Sequence, residues 1–340
     1  MSYKRFDLED VVVSAESVTA PVWTGDVTTL TTFFTGSAQI GGTSADYYYD
    51  IYQTGSTLDT ARVQFSIAYA DKNGSGSLAF NPGVAGKSPT STVYGQYRNL
   101  VLGDEEEDFT FGSVKSDHFY VLAVDRARYK EKILPGTLTL KLHDSGSGNE
   151  LTLTDNSQVV TTTTFTDAGR VFELISGSAG TLSGGKKTSD GYTDGSGSYG
   201  KLLPDVGIIL LNGNALDAPV SIGGINISSS RLAEEGANPG KLYDLLTTSG
   251  SFRLQSEETI TSNFVFVRAR NSEFNYSTNP SIITGSGELR HNVMINTPQS
   301  YITAVGLYND NNDLLAVAKL SRPLLKDFTK EALVRIKLDY

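Results

Sequence analysis

Apolar and polar positions alternate at period two in several stretches of this chain, and that period predicts strands. "ARVQFSIAYAD" sets Val63, Phe65, Ile67 and Tyr69 on one face and Gln64, Ser66, Ala68 and Ala70 on the other, the pattern of a half-buried strand. "SADYYYDIYQT" sets Tyr47, Tyr49 and Ile51 against Tyr48, Asp50 and Tyr52. "HFYVLAVDRARY" reads as a strong strand, and its continuation spaces Arg126, Arg128, Lys130 and Lys132 by two. On a strand these four cations share one face. "GTLTLKL" aligns Leu138, Leu140 and Leu142, and two further strands flank Asp167-Ala168-Gly169. "PDVGIILLNGNAL" reads as a buried strand with an Asn-Gly turn. Near the end, Phe264 and Phe266 oppose Val265 and Val267, and Leu333, Arg335 and Lys337 oppose Val334, Ile336 and Leu338.

Two stretches change period. "SPTSTVYGQYRNLVLG" predicts a helix, with Ser88 as cap, Pro89 at the first position and Val93, Tyr97 and Leu100 on one side. "NPGKLYDLLTTSG" predicts a shorter one, with Asn238 as cap, Pro239 first and Gly250 as stop. The clearest supersecondary signal is "ITAVGLYNDNNDLLAVAKL", residues 302–320. Two apolar runs separated by Asn309-Asp310-Asn311-Asn312-Asp313 read as a β-hairpin. The expected class is therefore mainly β, with one or two antiparallel sandwich-like domains and a few short helices.

Composition supports that class. Gly is frequent at 34 residues and Tyr and Phe together reach 32, which favours strands and turns over helices. The pattern suggests four regions: an N-terminal docking segment (1–35), a β-rich domain (36–145), strands followed by a Gly/Ser-rich flexible loop (146–200) and a C-terminal β domain (201–340) that carries the hairpin. No Cys is present, so disulfides, thiolate metal sites and cysteine nucleophiles are excluded. A net charge of −10 argues against nucleic acid as a partner of the whole chain. The first residues lack the apolar core of a signal peptide, and no membrane span is expected.

Candidate chemistry is sparse. His118, His143 and His291 have no metal-ligand spacing, and no nucleophile elbow or phosphate loop occurs. The run Asp104, Glu105, Glu106, Glu107, Asp108 reads as a solvated acidic loop or as a patch for a basic partner. Asp190 and Asp194 in "SDGYTDGSG" lack the remaining ligands of a calcium loop. No catalytic residue, metal or cofactor is expected, and an enzyme is not the expected reading. The acidic loop and the cations Arg126, Arg128, Arg268 and Arg270 suggest self-complementary subunits. Tyr47, Tyr49 and Tyr308 add interface material, since Tyr is apolar in body and polar at its tip.

The hairpin resembles a pattern of tail-fibre and baseplate-associated proteins of contractile-tailed, T4-like bacteriophages, in which "GLY", a turn of Asp, Asn or Gly, and "AVA" recur. "VYGQYRNLVLGDEEEDFTF" and "SRPLLKDFTKEALVRIKLDY" are also similar to segments of large virion proteins of that group. The turn here has five residues and no Gly, and the chain ends about twenty residues later. The resemblance therefore implies a compact tail or baseplate subunit instead of a fibre. It implies a virion location after assembly in the host cytoplasm, with copies of the chain and other virion proteins as partners. Two alternatives stand beside it: a head or neck component, and a carbohydrate-binding receptor module resting on Tyr47–Tyr52, with Trp23 as the only Trp.

Overall fold

Strands make up 44% of the chain and helices 13%, which makes it a mainly β protein of sandwich-like class with few short helices. The computed structural model describes residues 4–36, 48–76, 88–183, 189–229, 231 and 237–339. The chain divides into two compact units. Unit 1 is Met1–Ser17 with Thr259–Tyr340, and unit 2 is Val18–Glu258. The boundaries expected at 145 and 200 do not separate compact units, because strands from both sides of them hydrogen-bond into one sheet.

In unit 2 that sheet follows the order Thr29–Leu30, Ser251–Arg253, Thr139–Asp144, Asn149–Asp155, Gly169–Ser178. It continues through Gly200–Leu203, Ile208–Asn212, His118–Val124, Val63–Asp71 and Tyr48–Tyr52. The pairings along this path are antiparallel. The sheet curls until its ends meet through one segment. Leu30 pairs with Phe252 at one end, and four residues on, Phe34 and Tyr52 exchange backbone hydrogen bonds of 2.9 and 2.8 Å at the other. Closure of this kind leaves few unpaired edges.

Both faces of the central strands are covered. Phe65, Ile67, Tyr69, Tyr120 and Leu122 join Trp23, Phe33, Phe252 and Leu242, Leu245 and Leu246 of the helix Asn238–Thr247 in the larger core. Ala68, Ala70, Phe119 and Val121 face the other way, onto Val93, Tyr94, Tyr97 and Val101 of the helix Pro89–Leu102. Helix α1 is Pro89–Leu102 and α3 is Asn238–Thr247. The strand Val63–Asp71 is thus buried on both faces, whereas its alternation predicted one. Small alanines on the second face let a helix lie close, and alanine does not distinguish burial from exposure in a sequence.

The N-terminal segment is part of the chain's own core. Val22, Trp23, Leu30 and Phe33 are buried in unit 2, and the Trp23 indole Nε1–H donates to the Phe252 carbonyl at 2.8 Å. Much of the Gly/Ser-rich stretch is packed as well. Ser198 and Tyr199 are buried, and Tyr199 donates to the Gly223 carbonyl at 2.7 Å. Residues 184–188 of that stretch lie outside the described residues. The Asn-Gly pair at 212–213 opens a short helix, α2 (Gly213–Asp217), instead of a turn. The Asn212 side chain accepts from Asn214 N–H at 3.1 Å, which caps it.

In unit 1, Gln255–Ala269 lies between Val11–Pro21 and Ala332–Asp339. Val265 pairs with Ile336 and Val267 with Val334. A separate two-stranded ribbon, Gln299–Tyr308 with Leu314–Asp327, forms the expected hairpin around the 309–313 turn. Val305, Leu307, Ala316 and Ala318 of the ribbon pack on Val265, Val267, Val334, Ile336 and Leu338 of the sheet. The chain passes between the units within Val11–Pro21 and within Gln255–Ala269.

Candidate interaction surface

Unit 1 places a small number of apolar side chains inside and many outside. Its hydrophobic cluster contains three buried members, Val265, Leu307 and Ile336. Seventeen of the twenty-five exposed large hydrophobic side chains among the described residues belong to this unit. Unit 2 is more than twice as long and has the other eight. Isolated exposed apolar residues are ordinary, but this concentration in one small unit is not.

The hairpin carries much of it. Leu314, Leu315 and Val317 are 53%, 67% and 55% exposed, and Tyr301 is 61% exposed. The inward face is used up by the packing on the sheet, so Ala304, Gly306 and Val317 lie on the other face of the ribbon. Gly306 has a specific role there. A Cβ at this position would stand 2.9 Å from Tyr308 Cε2 and 3.3 Å from Leu314 Cδ1. The Tyr308 ring therefore lies across the glycine, which explains the "GLY" order in terms of space. At the base of the ribbon, the buried Lys326 ammonium donates to Asn275 Oδ1 at 2.8 Å, to the Asp327 carbonyl at 2.9 Å and to the Asn271 carbonyl at 3.1 Å. These bonds tie the 271–275 turn to the hairpin.

The outward face of the neighbouring sheet is aromatic and cationic. Arg335 stands over the Phe264 ring at 4.7 Å and Lys337 at 5.9 Å. Lys337 also reaches Asp339 at 3.2 Å and Glu16 at 3.5 Å. A shallow depression beside them is lined by Phe266, Arg268, Glu331, Ala332 and Leu333.

The residues expected to form an interface are distributed unevenly. Tyr47 lies outside the described residues. Tyr49 is 4% exposed and sits in the larger core, so it presents no surface to a partner. Asp104, Glu105 and Glu106 lie exposed on the loop after α1, and Asp104 Oδ1 accepts from Glu106 N–H at 2.7 Å. Asp108 is held by Lys72, whose ammonium keeps its carboxyl below the usual range. The expected cation stripe at 126–132 does not form, because the strand ends at Val124 and residues 126–128 turn. Arg126 stacks on Tyr129 at 4.6 Å and donates to the Glu131 carbonyl at 3.0 Å, and Arg128 donates to Thr24 Oγ1. Arg268 pairs with Glu331 at 2.7 Å, and Arg270 lies exposed one residue beyond the strand. Tyr308 is on the ribbon described above.

No family model matches the chain, and no curated protein or solved structure is similar to it. Among the described residues no group of three or more His, Asp or Glu side chains converges to hold a metal ion. No helix among them is long and apolar enough to cross a membrane.

One polar constellation escaped the sequence reading. His118 Nε2 lies 3.0 Å from Asp217 Oδ2, and Asp217 Oδ1 accepts from Ser229 N–H at 2.6 Å. Tyr120 and Ser229 hydroxyls are 2.8 Å apart. Buried Asp71 accepts from Asn73 N–H at 2.9 Å and from Arg231 Nε at 2.9 Å. His118 is 2% and Tyr120 0% exposed, so these groups fasten Asp217, Ser229 and Arg231 to the sheet from inside. Sequence separations of 99 and 160 residues between partners leave no local signal.

Acid should loosen unit 2 through its paired carboxylates. Burial alone would raise Asp205 and Asp217, but bonds from Arg170 to the first and from His118 and Ser229 to the second outweigh it and hold both below the usual range. A carboxyl depressed in the folded state stabilises fully above its unfolded pKa of about 3.9 and loses that contribution as pH falls through the folded value. Urea midpoints should be level from pH 7 to about 5 and fall below about pH 4. Asp205→Asn should cost about 1 kcal/mol at pH 7 and make the acid limb shallower. An unchanged acid limb would remove Asp205 from this account.

Proposed function

We propose that the chain is a structural subunit of a bacteriophage particle, belonging to the tail or baseplate and acting by packing against copies of itself and other virion proteins. The observation that carries the assembly part is the imbalance of unit 1, with three buried members in its cluster and seventeen large apolar side chains exposed. A unit of this size gains little from so small a core, and covering its outer apolar surface is the physical drive for association. The phage part is supported by the resemblance of the hairpin, whose Gly306 and Tyr308 fit together on the exposed face.

The experiment is electron microscopy of purified phage particles labelled with gold-conjugated antibody against this chain. Label concentrated at the tail tip is the expected result. Label on the head or neck would keep a structural role and remove the tail assignment. Absence of label from intact and disrupted particles would overturn the virion reading. The glycan-binding alternative loses its only Trp, since Trp23 is 2% exposed in the core.

A further inference from the structure

Granting the assembly role proposed above, we infer that unit 1 joins to unit 1 of a second copy by strand addition at the open edge of Gln299–Tyr308. In an antiparallel pair, each strand directs half of its backbone N–H and C=O groups to its neighbour and half away from it. Among the described residues the ribbon has two strands, so both have an outward edge. From Tyr301 to Leu307 no backbone hydrogen bond besides those to the facing strand is present among the described residues.

The two edges differ in how they are protected. Leu314–Asp327 carries Lys319, Arg322 and Pro323, and its register with the partner breaks between Ile302 and Ala304. Charge, proline and a bulge are the features that discourage pairing at an edge. Gln299–Tyr308, "QSYITAVGLY", has no charged residue and no proline over its ten positions. It is an unguarded edge with exposed Tyr301, Thr303 and Ala304.

Charge selects a second copy as the occupant. Unit 1 contains eleven Lys and Arg and eleven Asp and Glu, out of 28 and 38 in the chain, so it is neutral and unit 2 carries the whole −10. Copies that meet through unit 1 therefore bring together surfaces without net repulsion, while contact through unit 2 would oppose like charges. An uncharged strand is also compatible with itself about a two-fold axis, because antiparallel pairing sets no like charges opposite each other. The result is a four-stranded sheet in which the outward apolar faces of the two ribbons are contiguous.

The test is the oligomeric state of the full chain by sedimentation and light scattering, with charge exchange at Ala304. With the two-fold near the middle of the strand, position 304 lies within one residue pair of its own image. Wild type should be dimeric or a larger even assembly at micromolar concentration. Ala304→Lys and Ala304→Glu should each weaken self-association at least about tenfold, and their mixture should restore it. Ala304 is exposed, and unchanged circular dichroism together with unchanged hydrogen-exchange protection within 299–327 would establish that both variants fold. A monomeric wild type overturns the inference, as does a dimer that neither variant weakens. Either outcome leaves the particle-labelling result untouched, so failure of this contact is distinguishable from failure of the virion role.

Discussion

Phe65→Ala should destabilise unit 2 by about 3–5 kcal/mol. Phe65 is fully buried, and its ring meets Phe252 at 5.1 Å, Trp23 at 6.0 Å and Phe33 at 6.2 Å between centroids. These rings come from three separated parts of the chain and fill the interior where the ends of the curled sheet approach. Truncation removes the transfer energy of a large ring and leaves a cavity that paired strands cannot readily collapse. The readout is built in. Trp23 is the only Trp and lies against the altered ring, so the red shift of its emission on unfolding reports this unit. The thermal midpoint should fall by roughly 10 °C, given about 2–4 °C per kcal/mol for a unit of this length. Ile67→Val on the same strand should cost only about 1 kcal/mol. A loss below about 1.5 kcal/mol for Phe65→Ala would show that the interior is loosely packed.

Lys326→Met should release the base of the hairpin at a cost of about 2–4 kcal/mol. The ammonium is fully buried and satisfied by three oxygens at 2.8–3.1 Å, none of them a carboxylate. Methionine keeps most of the volume but takes the donor from three acceptors that are only partly buried. The relief of not desolvating an ammonium offsets part of that loss, so the cost is below the sum of three charged bonds. Hydrogen exchange within 299–327 is the measurement. Protection should fall about a hundredfold, since 1.4 kcal/mol corresponds to a factor of ten. Lys319→Met, at an exposed position of the same strand, should stay within about 0.5 kcal/mol of wild type. Equal effects of the two substitutions would contradict the role of the buried ammonium.

Legibility in the sequence followed the range of the forces involved. The helix after Ser88 was readable because its start depends on adjacent residues: Ser91 Oγ accepts from Ser88 N–H at 3.2 Å, and Pro89 needs no donor there. The hairpin was readable because a five-residue Asn/Asp turn closes it within twenty residues. The cation stripe was misread because Asp125 accepts from Ala127 N–H at 2.7 Å and starts a turn, while the spacing of the cations is equally compatible with a strand. The interface residues proved the least legible. Tyr49 and Tyr308 are the same residue type on strands of similar pattern, yet one faces a filled core and the other the outside of the ribbon.

By itself the sequence determined the strand-rich class, both longer helices, the hairpin and the inward set Val334, Ile336 and Leu338 of the last strand. Period is a property of neighbouring residues, whereas the expected Asn238 cap does not form: the helix begins at Asn238 itself, after Ala237, without a side-chain cap. Only the tertiary structure decided that residues from Val18 to Glu258 share one unit, that Trp23 belongs to its core and that unit 1 leaves its apolar side chains uncovered. Burial on a second face, and the choice of partner across more than a hundred residues, depend on which surfaces meet in space. Alternation along a strand shows that its two faces differ, but it does not show what covers either one.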